Sequence, residues 1–175
     1  MENRDYVKPA FVVFIENNIE MLLRTEKIAF YAFLLGFSGH LLLLPASHIL
    51  LMGGALAMAV VHFALAFYNK DLVDMEPTWN AGNELGSYAF TNFIHKLSFI
   101  SLSLIDFSMI YLIIGAPITF VVPVVGGMTL IPTVLFTFLA KLNNREFIYN
   151  KLYYIRAGLG VLFFLYLTLR LVVFV

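Results

Sequence analysis

Five apolar stretches, separated by short polar segments, dominate this chain. A helix needs about 20 predominantly apolar residues to cross the hydrocarbon core of a bilayer, and each stretch comes close to that length. The pattern therefore predicts an all-α integral membrane bundle of five transmembrane helices, covering about residues 28–44, 49–68, 94–114, 118–140 and 157–175.

A separate amphipathic helix is predicted before the first span, from Pro9 to Arg24. Apolar residues recur at helical spacing from Phe11 to Leu23, while Glu16 and Glu20 occupy the opposite side. Such a helix suits the membrane interface, and a soluble partner could also cover its apolar face. The predicted organisation is an N-terminal cytoplasmic segment over residues 1–27 and a five-span domain over residues 28–175.

Basic residues lie before the first span and in every second loop between the spans, and this distribution predicts the orientation of the protein in the membrane. Lys and Arg precede the first span and lie between spans two and three and between spans four and five, whereas the turns at residues 45–48 and 115–118 carry none. Basic loops stay on the cytoplasmic side. We therefore expect a cytoplasmic N-terminus and an external C-terminus, in the inner (cytoplasmic) membrane if the protein is bacterial.

Composition independently favours the membrane. Hydrophobic residues make up 61% of the chain and charged residues 13%, against about 25% charged in soluble domains. The formal net charge is zero, which argues against nucleic acid as a partner. The absence of cysteine excludes disulfides, thiolate metal sites and cysteine nucleophiles.

Three ionisable side chains fall at one predicted level. Counted from the cytoplasmic edge, His40 lies about 18 Å in, Asp106 about 17 Å and Arg170 about 20 Å, with Thr129 at a similar depth. Buried ionisable groups are costly in a bilayer and often functional, so these four residues form a candidate intramembrane polar cluster. The alternative is a structural ion pair between Asp106 and Arg170, or an Arg170 that reaches the outer surface.

The fourth span contains a candidate helix break. Proline and glycine residues weaken its hydrogen-bond ladder, at Pro123, Gly126, Gly127 and Pro132. A broken helix beside polar groups is common in transporter sites, although neighbouring helices can also re-satisfy such a backbone.

No cofactor is predicted. Bis-histidine haem needs two histidines at matching depth, but His62 lies about 9 Å in, His95 at the cytoplasmic edge and His48 near the outer edge. The sequence favours His62 as a hydrogen-bonded packing residue. Quinone binding stays open, because it leaves no motif.

A basic and aromatic segment precedes the last span. Cations beside tyrosines favour contact with anionic lipid headgroups, here at Lys141, Arg145, Lys151 and Arg156.

Function is the least determined property. No catalytic motif is present, so an enzyme is not indicated. The leading hypothesis is a non-enzymatic membrane subunit or scaffold, in a homo-oligomer or with other membrane subunits. The alternatives are a small proton- or ion-coupled channel or transporter, in which Asp106 titrates, His40 relays and Arg170 is the counter-ion, and a redox anchor that binds quinone or haem.

Overall fold

The computed structural model describes residues 9–68, 84–114, 121–142 and 151–173, and within these ranges it contains helices and no strand. This confirms the all-α prediction. The six helices are α1 (Ala10–Asn17), α2 (Ile19–Leu41), α3 (Ser47–Leu65), α4 (Glu84–Ile114), α5 (Val121–Leu142) and α6 (Lys151–Val173).

Two of the described helices are long and apolar enough to cross a membrane. The qualifying segments are Ser47–Leu65 in α3 and Phe93–Ile110 in α4, while the apolar parts of α5 and α6 among the described residues, Val122–Leu135 and Tyr154–Leu169, are shorter. The helices are thus compatible with a membrane location. The five spans and their orientation are not established by these lengths.

The N-terminal helices divide at a different place from the one predicted. A single helix from Pro9 to Arg24 was expected, but α1 ends at Asn17 and α2 continues through Arg24 to Leu41. The side-chain amide of Asn18 donates to the carbonyl of Phe14 at 2.8 Å, in addition to the backbone N–H of Asn18, which bonds the same carbonyl at 3.1 Å. Ile15 is then buried, so the protein itself covers part of the apolar face of α1.

Helices α2 and α3 form a tight antiparallel hairpin. Gly36 and Gly54 allow it, because a Cβ atom added at Gly54 would lie 2.6 Å from the amide nitrogen of Phe33 and one at Gly36 would overlap the backbone of Leu51. The turn between the helices needs two left-handed residues, Leu43 at φ 56° and Ala46 at φ 63°.

Helices α3 and α4 are joined by polar contacts along their length. The hydroxyl of Ser103 donates to the carbonyl of Ala59 at 2.7 Å, and Nε2 of His95 lies 3.0 Å from the carbonyl of Leu65, at the C-terminal end of α3. The carbonyl of Leu65 also accepts from the backbone N–H of Tyr68 at 3.1 Å, so His95 adds a second contact to this helix end.

The predicted break in the fourth span is absent, because α5 is one continuous helix from Val121 to Leu142. Pro123 lies in the first turn, where its missing N–H costs no internal bond, and only Pro132 lies inside the helix. The glycines serve close packing: a Cβ atom at Gly126 would lie 3.1 Å from Cγ1 of Ile105 on α4, and one at Gly127 would overlap the ring of Phe164 on α6.

Large apolar side chains cover the outside of the helices. They lie on α2, α3, α5 and α6 and include Ile28, Tyr31, Leu35, Val60, Met128, Leu135, Leu162 and Leu169, all exposed. Polar side chains lie inside instead, and Glu26, His62 and Asp106 are among the buried residues.

Candidate functional site

Four charged or titratable side chains from four helices meet in the interior. Nδ1 of His62 lies 2.6 Å from Oδ2 of Asp106, and Nε2 of the same ring lies 3.2 Å from Oε1 of Glu26. Arg156 forms an ion pair with both carboxylate oxygens of Glu26, at the other end of the network from Asp106. The result is a continuous network in the order Arg156, Glu26, His62, Asp106, which we call the buried relay.

Local sequence places three of the four members on the buried face of their helices. On α3, Leu51, Ala55, Met58, His62 and Leu65 are buried at alternating steps of four and three residues. Because residues three and four apart share one face of a helix, His62 occupies a core position.

Two other members follow the same rule. Asp106 lies four residues after buried Leu102 on α4, and Glu26 lies three before buried Ala29 on α2. His62, Asp106 and Glu26 therefore stand where core residues would be expected. Arg156 directly precedes buried Ala157 on α6 and is itself half-buried, so it lies at the edge of the buried face.

The electrostatics of Glu26 reflect opposing effects. Burial raises the pKa of this carboxyl, while the hydrogen bond to His62 and the charge of Arg156 lower it, and the net result is a pKa below its ordinary value of 4.5. Glu26 is thus held as a carboxylate by a cation on one side and an imidazole on the other.

The geometry around His62 suits proton exchange. An imidazole carries one or two ring protons, and its two nitrogens can respectively accept and donate. Because Asp106 and Glu26 lie at opposite nitrogens, a proton can pass from one carboxyl to the other through the ring.

A cavity of about 120 Å³ adjoins the buried relay. All four relay residues line it, together with apolar side chains from α2, α3, α4 and α6. The apolar side chains include Phe30, Met58, Leu102, Leu159 and Phe163. The relay therefore borders a partly open cavity as well as protein.

The predicted polar cluster is not brought together around Asp106. Among the described residues the hydrogen-bonding partner of Asp106 is His62, and His40 makes no hydrogen bond or ion pair with it. The hydroxyl of Thr129 pairs at 2.6 Å with Ser101 and bonds back to its own helix. The side chain of Arg170 lies outside the described residues.

Side-chain direction explains why His62 contacts Asp106 although the two residues have different predicted depths. Along the helix axes, His62 lies about 8 Å closer to the predicted cytoplasmic edge than Asp106. This distance refers to the backbone and does not include the length and direction of the side chains. Helical side chains lean toward the N-terminus of their own helix. Since α3 and α4 are antiparallel, His62 and Asp106 lean toward each other, and this closes the gap.

Two further members carried signals that pointed elsewhere. Glu26 stands in the charged run directly before the first apolar stretch, but it continues the buried face formed by Ala29, Phe33 and Gly36. Arg156 was assigned to lipid headgroups, whereas its guanidinium pairs with Glu26. The side chains of Lys141, Arg145 and Lys151, assigned to the same headgroups, lie outside the described residues.

The relay does not resemble a metal site. The described residues contain no group of three histidine or carboxylate side chains that converges on one point. Glu26 and Asp106 bind opposite nitrogens of His62 and so face away from each other. Both ring nitrogens are engaged, which leaves neither of them directed at a haem iron.

Comparison with known proteins gives no relative. No protein family model, curated protein or solved structure matches the chain. The functional conclusion therefore rests on the geometry of the buried relay.

Proposed function

We propose that the protein is an integral membrane protein that moves protons across the bilayer as a small channel or carrier, with Glu26, His62 and Asp106 as its proton-binding groups. One observation carries the proposal: a buried imidazole lies between two buried carboxyls that come from two other helices. An unbroken carboxyl–imidazole–carboxyl chain is a proton-transfer path.

The energetic cost of this arrangement supports a functional role. Desolvation of buried charges often exceeds their mutual attraction, and an apolar replacement of similar volume is often at least as stable. Ionisable residues within membrane segments are for that reason functional candidates by default. The roles that the sequence suggests are kept, but two of them pass to other residues. His62 replaces His40 as the residue that passes the proton on, and Arg156 replaces Arg170 as the counter-ion.

The proposed topology places five spans in the membrane with the N-terminus cytoplasmic. The exposed apolar side chains on α2, α3, α5 and α6 support a lipid environment, because soluble monomers rarely expose large contiguous apolar surfaces. In this orientation Glu26 and Arg156 lie near the cytoplasmic surface, and Asp106 lies deeper.

Proton flux into liposomes tests the proposal. Purified protein is reconstituted with a trapped pH-sensitive dye, and a potassium gradient with valinomycin drives the flux. We expect His62→Gln and Asp106→Asn to reduce the protein-dependent flux by at least about tenfold, because a loss of general acid or base function typically costs that much or more. Size-exclusion chromatography shows whether each variant remains folded.

Two other histidines provide the comparisons. His48→Gln changes an exposed residue of the same type and should leave the flux unchanged. His40→Gln distinguishes the buried relay from the polar cluster that the sequence predicts. If the buried relay carries the protons, this variant should have little effect on the flux. Absence of flux in the wild type, or undiminished flux in His62→Gln, would contradict the proposal.

The subunit or scaffold hypothesis stays a prediction. Recovery of one defined oligomer or one stable membrane partner after gentle extraction would support it. Proton flux by the isolated chain would instead make it unnecessary as an explanation of the relay.

A further inference from the structure

The cavity beside the buried relay has one polar side and several apolar walls. Phe30 and Phe163 contribute aromatic surface from α2 and α6, and Met58, Leu102 and Leu159 contribute aliphatic surface. Its volume is about 120 Å³, and an apolar protein cavity of about 150 Å³ holds a benzene molecule. The space is therefore of the size of one six-membered ring.

The cavity lies between two helices that do not pack closely. Close backbone approaches join α2 to α3, α3 to α4, and α4 and α5 to α6, but α2 and α6 meet mainly through side chains. The Arg156–Glu26 ion pair bridges them at one end, and the rings of Phe33 and Phe163 touch at the other, with centroids 4.8 Å apart.

Exposed lining residues mark where the cavity reaches the surface. Ile155 and Lys27 line the cavity and are exposed, and the neighbouring side chain of Ile28 is exposed as well. With the proposed membrane placement, this opening lies at the cytoplasmic edge of the bilayer, beside lipid. The apolar walls of the cavity favour a lipophilic ligand that partitions into the bilayer.

The polar side of the cavity requires a hydrogen-bond donor. Asp106 is 4% exposed, and its Oδ2 is bonded to His62. No residue in the described ranges donates a hydrogen bond to its Oδ1. A buried acceptor without a partner costs free energy, so a ligand that donates a hydrogen bond to Oδ1 gains affinity.

The charges in the relay disfavour an ionic ligand. Arg156 compensates Glu26, and His62 is placed to compensate Asp106. The other charged lining residue, Lys27, is exposed, so the inner part of the cavity attracts neither an anion nor a cation strongly. A neutral hydroxyl satisfies both the acceptor and this charge balance. Aromatic walls together with a hydroxyl donor define an aromatic alcohol.

We infer that the cavity binds the ring of a lipophilic phenol or quinol, whose hydroxyl donates to Oδ1 of Asp106 and whose hydrocarbon tail passes between α2 and α6 into the bilayer. This inference rests on the proposed membrane placement and does not require that the protein moves protons.

Binding of matched probes to the protein in lipid nanodiscs tests the site. Radiolabelled para-heptylphenol is measured by scintillation proximity, with empty nanodiscs subtracted, and para-heptylanisole competes as the methyl ether that cannot donate. The phenol should bind at least about tenfold more tightly, the size of effect that one hydrogen bond to a charged group provides. Equal affinities of phenol and ether, or absence of saturable binding, would overturn the inference.

Variants locate the binding in this cavity. Leu159→Trp fills it and should remove saturable binding, whereas Leu162→Trp makes the same change at an exposed position of α6 outside the cavity and should preserve it. Asp106→Asn directs an amide donor at the ligand and should abolish the preference for phenol over ether. Unchanged binding in Leu159→Trp, or a preference retained in Asp106→Asn, would place the ligand elsewhere and overturn the inference.

The two proposals fail separately. Selective phenol binding without proton flux would refute proton movement and leave the ligand site standing. Proton flux without selective binding would refute the ligand site alone.

Discussion

At the scale of single residues, the important feature is the replacement of core side chains by titratable ones. His62 and Asp106 lie at positions where their helices otherwise bury Met58, Leu65 or Leu102. Removal of one partner from such a pair leaves a buried charge without compensation, which typically costs about 3–5 kcal/mol. Loss of any one member of the buried relay is therefore expected to destabilise the remaining members.

Acid should weaken the contribution of Glu26 to stability. Its pKa in the folded protein is lower than 4.5, so its ionised form stabilises the fold at pH values above 4.5, and this stabilisation is lost as the pH falls through the lowered pKa. Thermal unfolding of wild type and of Glu26→Gln, from pH 7 down to pH 3, isolates this group. We expect a higher unfolding temperature for the wild type near neutral pH and a difference that shrinks below pH 4.5.

A difference that stays constant across this range would show that ionisation of Glu26 does not stabilise the fold. The matched control is Glu20→Gln, which changes an exposed carboxylate in an ion pair with Arg24 on the same helix. Exposed pairs of this kind contribute about 1 kcal/mol or less, so this variant should follow the wild type.

At the scale of helices, small residues set the distances that allow the relay to form. The hairpin of α2 and α3 holds Glu26 and His62 on facing surfaces, and Gly36 and Gly54 permit the close approach. Packing against α4 then brings Asp106 to the other side of the imidazole. Of the two adjacent glycines on α3, Gly54 is the one that contacts α2, and Gly53 is exposed.

Two adjacent glycines allow a direct test of this packing. Gly54→Ala puts a Cβ atom 2.6 Å from the backbone nitrogen of Phe33 and 2.8 Å from the backbone oxygen of Ala29, so the helices must separate. We expect a loss of about 1–3 kcal/mol in the free energy of unfolding, as for other overpacked cores. Denaturant titration in mild detergent, followed by circular dichroism, measures it.

Gly53→Ala is the control, because an added Cβ atom there meets no atom within 4 Å. Alanine also favours a helix over glycine by up to about 1 kcal/mol, so this variant should be neutral or stabilised. If both variants unfold alike, close packing at Gly54 does not hold the hairpin together.

At the scale of the whole molecule, the described interior combines an apolar core with a few buried polar groups, and large apolar side chains also cover the outside. The buried relay and the serine bonds on α4 lie in the interior, while large apolar side chains face outward from most helices. This distribution, combined with the alternation of basic and uncharged connections, leads to the proposed orientation.

Single-cysteine labelling tests that orientation, and a chain without native cysteines is well suited to it. Leu43→Cys lies in the exposed turn between α2 and α3, and Thr25→Cys lies on the exposed side of α2 at its other end. In intact cells a membrane-impermeant maleimide should label Leu43→Cys, and it should label Thr25→Cys only after permeabilisation. The reverse pattern would show that the N-terminus faces outward.

The sequence alone determined properties that belong to single helices. Periodicity and composition predicted an all-helical protein with long apolar segments, and they identified Asp106 as a polar residue within one of them. These are properties of single helices, and they depend on local spacing and on the chemical nature of each side chain.

Only the tertiary structure decided which residues meet. The pairing of Asp106 with His62 and the recruitment of Glu26 and Arg156 depend on how the helices rotate and on where their side chains lean, as does the contact of Gly54 rather than Gly53 with α2. A shift of one residue turns a helix by about 100°. Sequence spacing therefore specifies a face only approximately, and packing between helices selects the contacts.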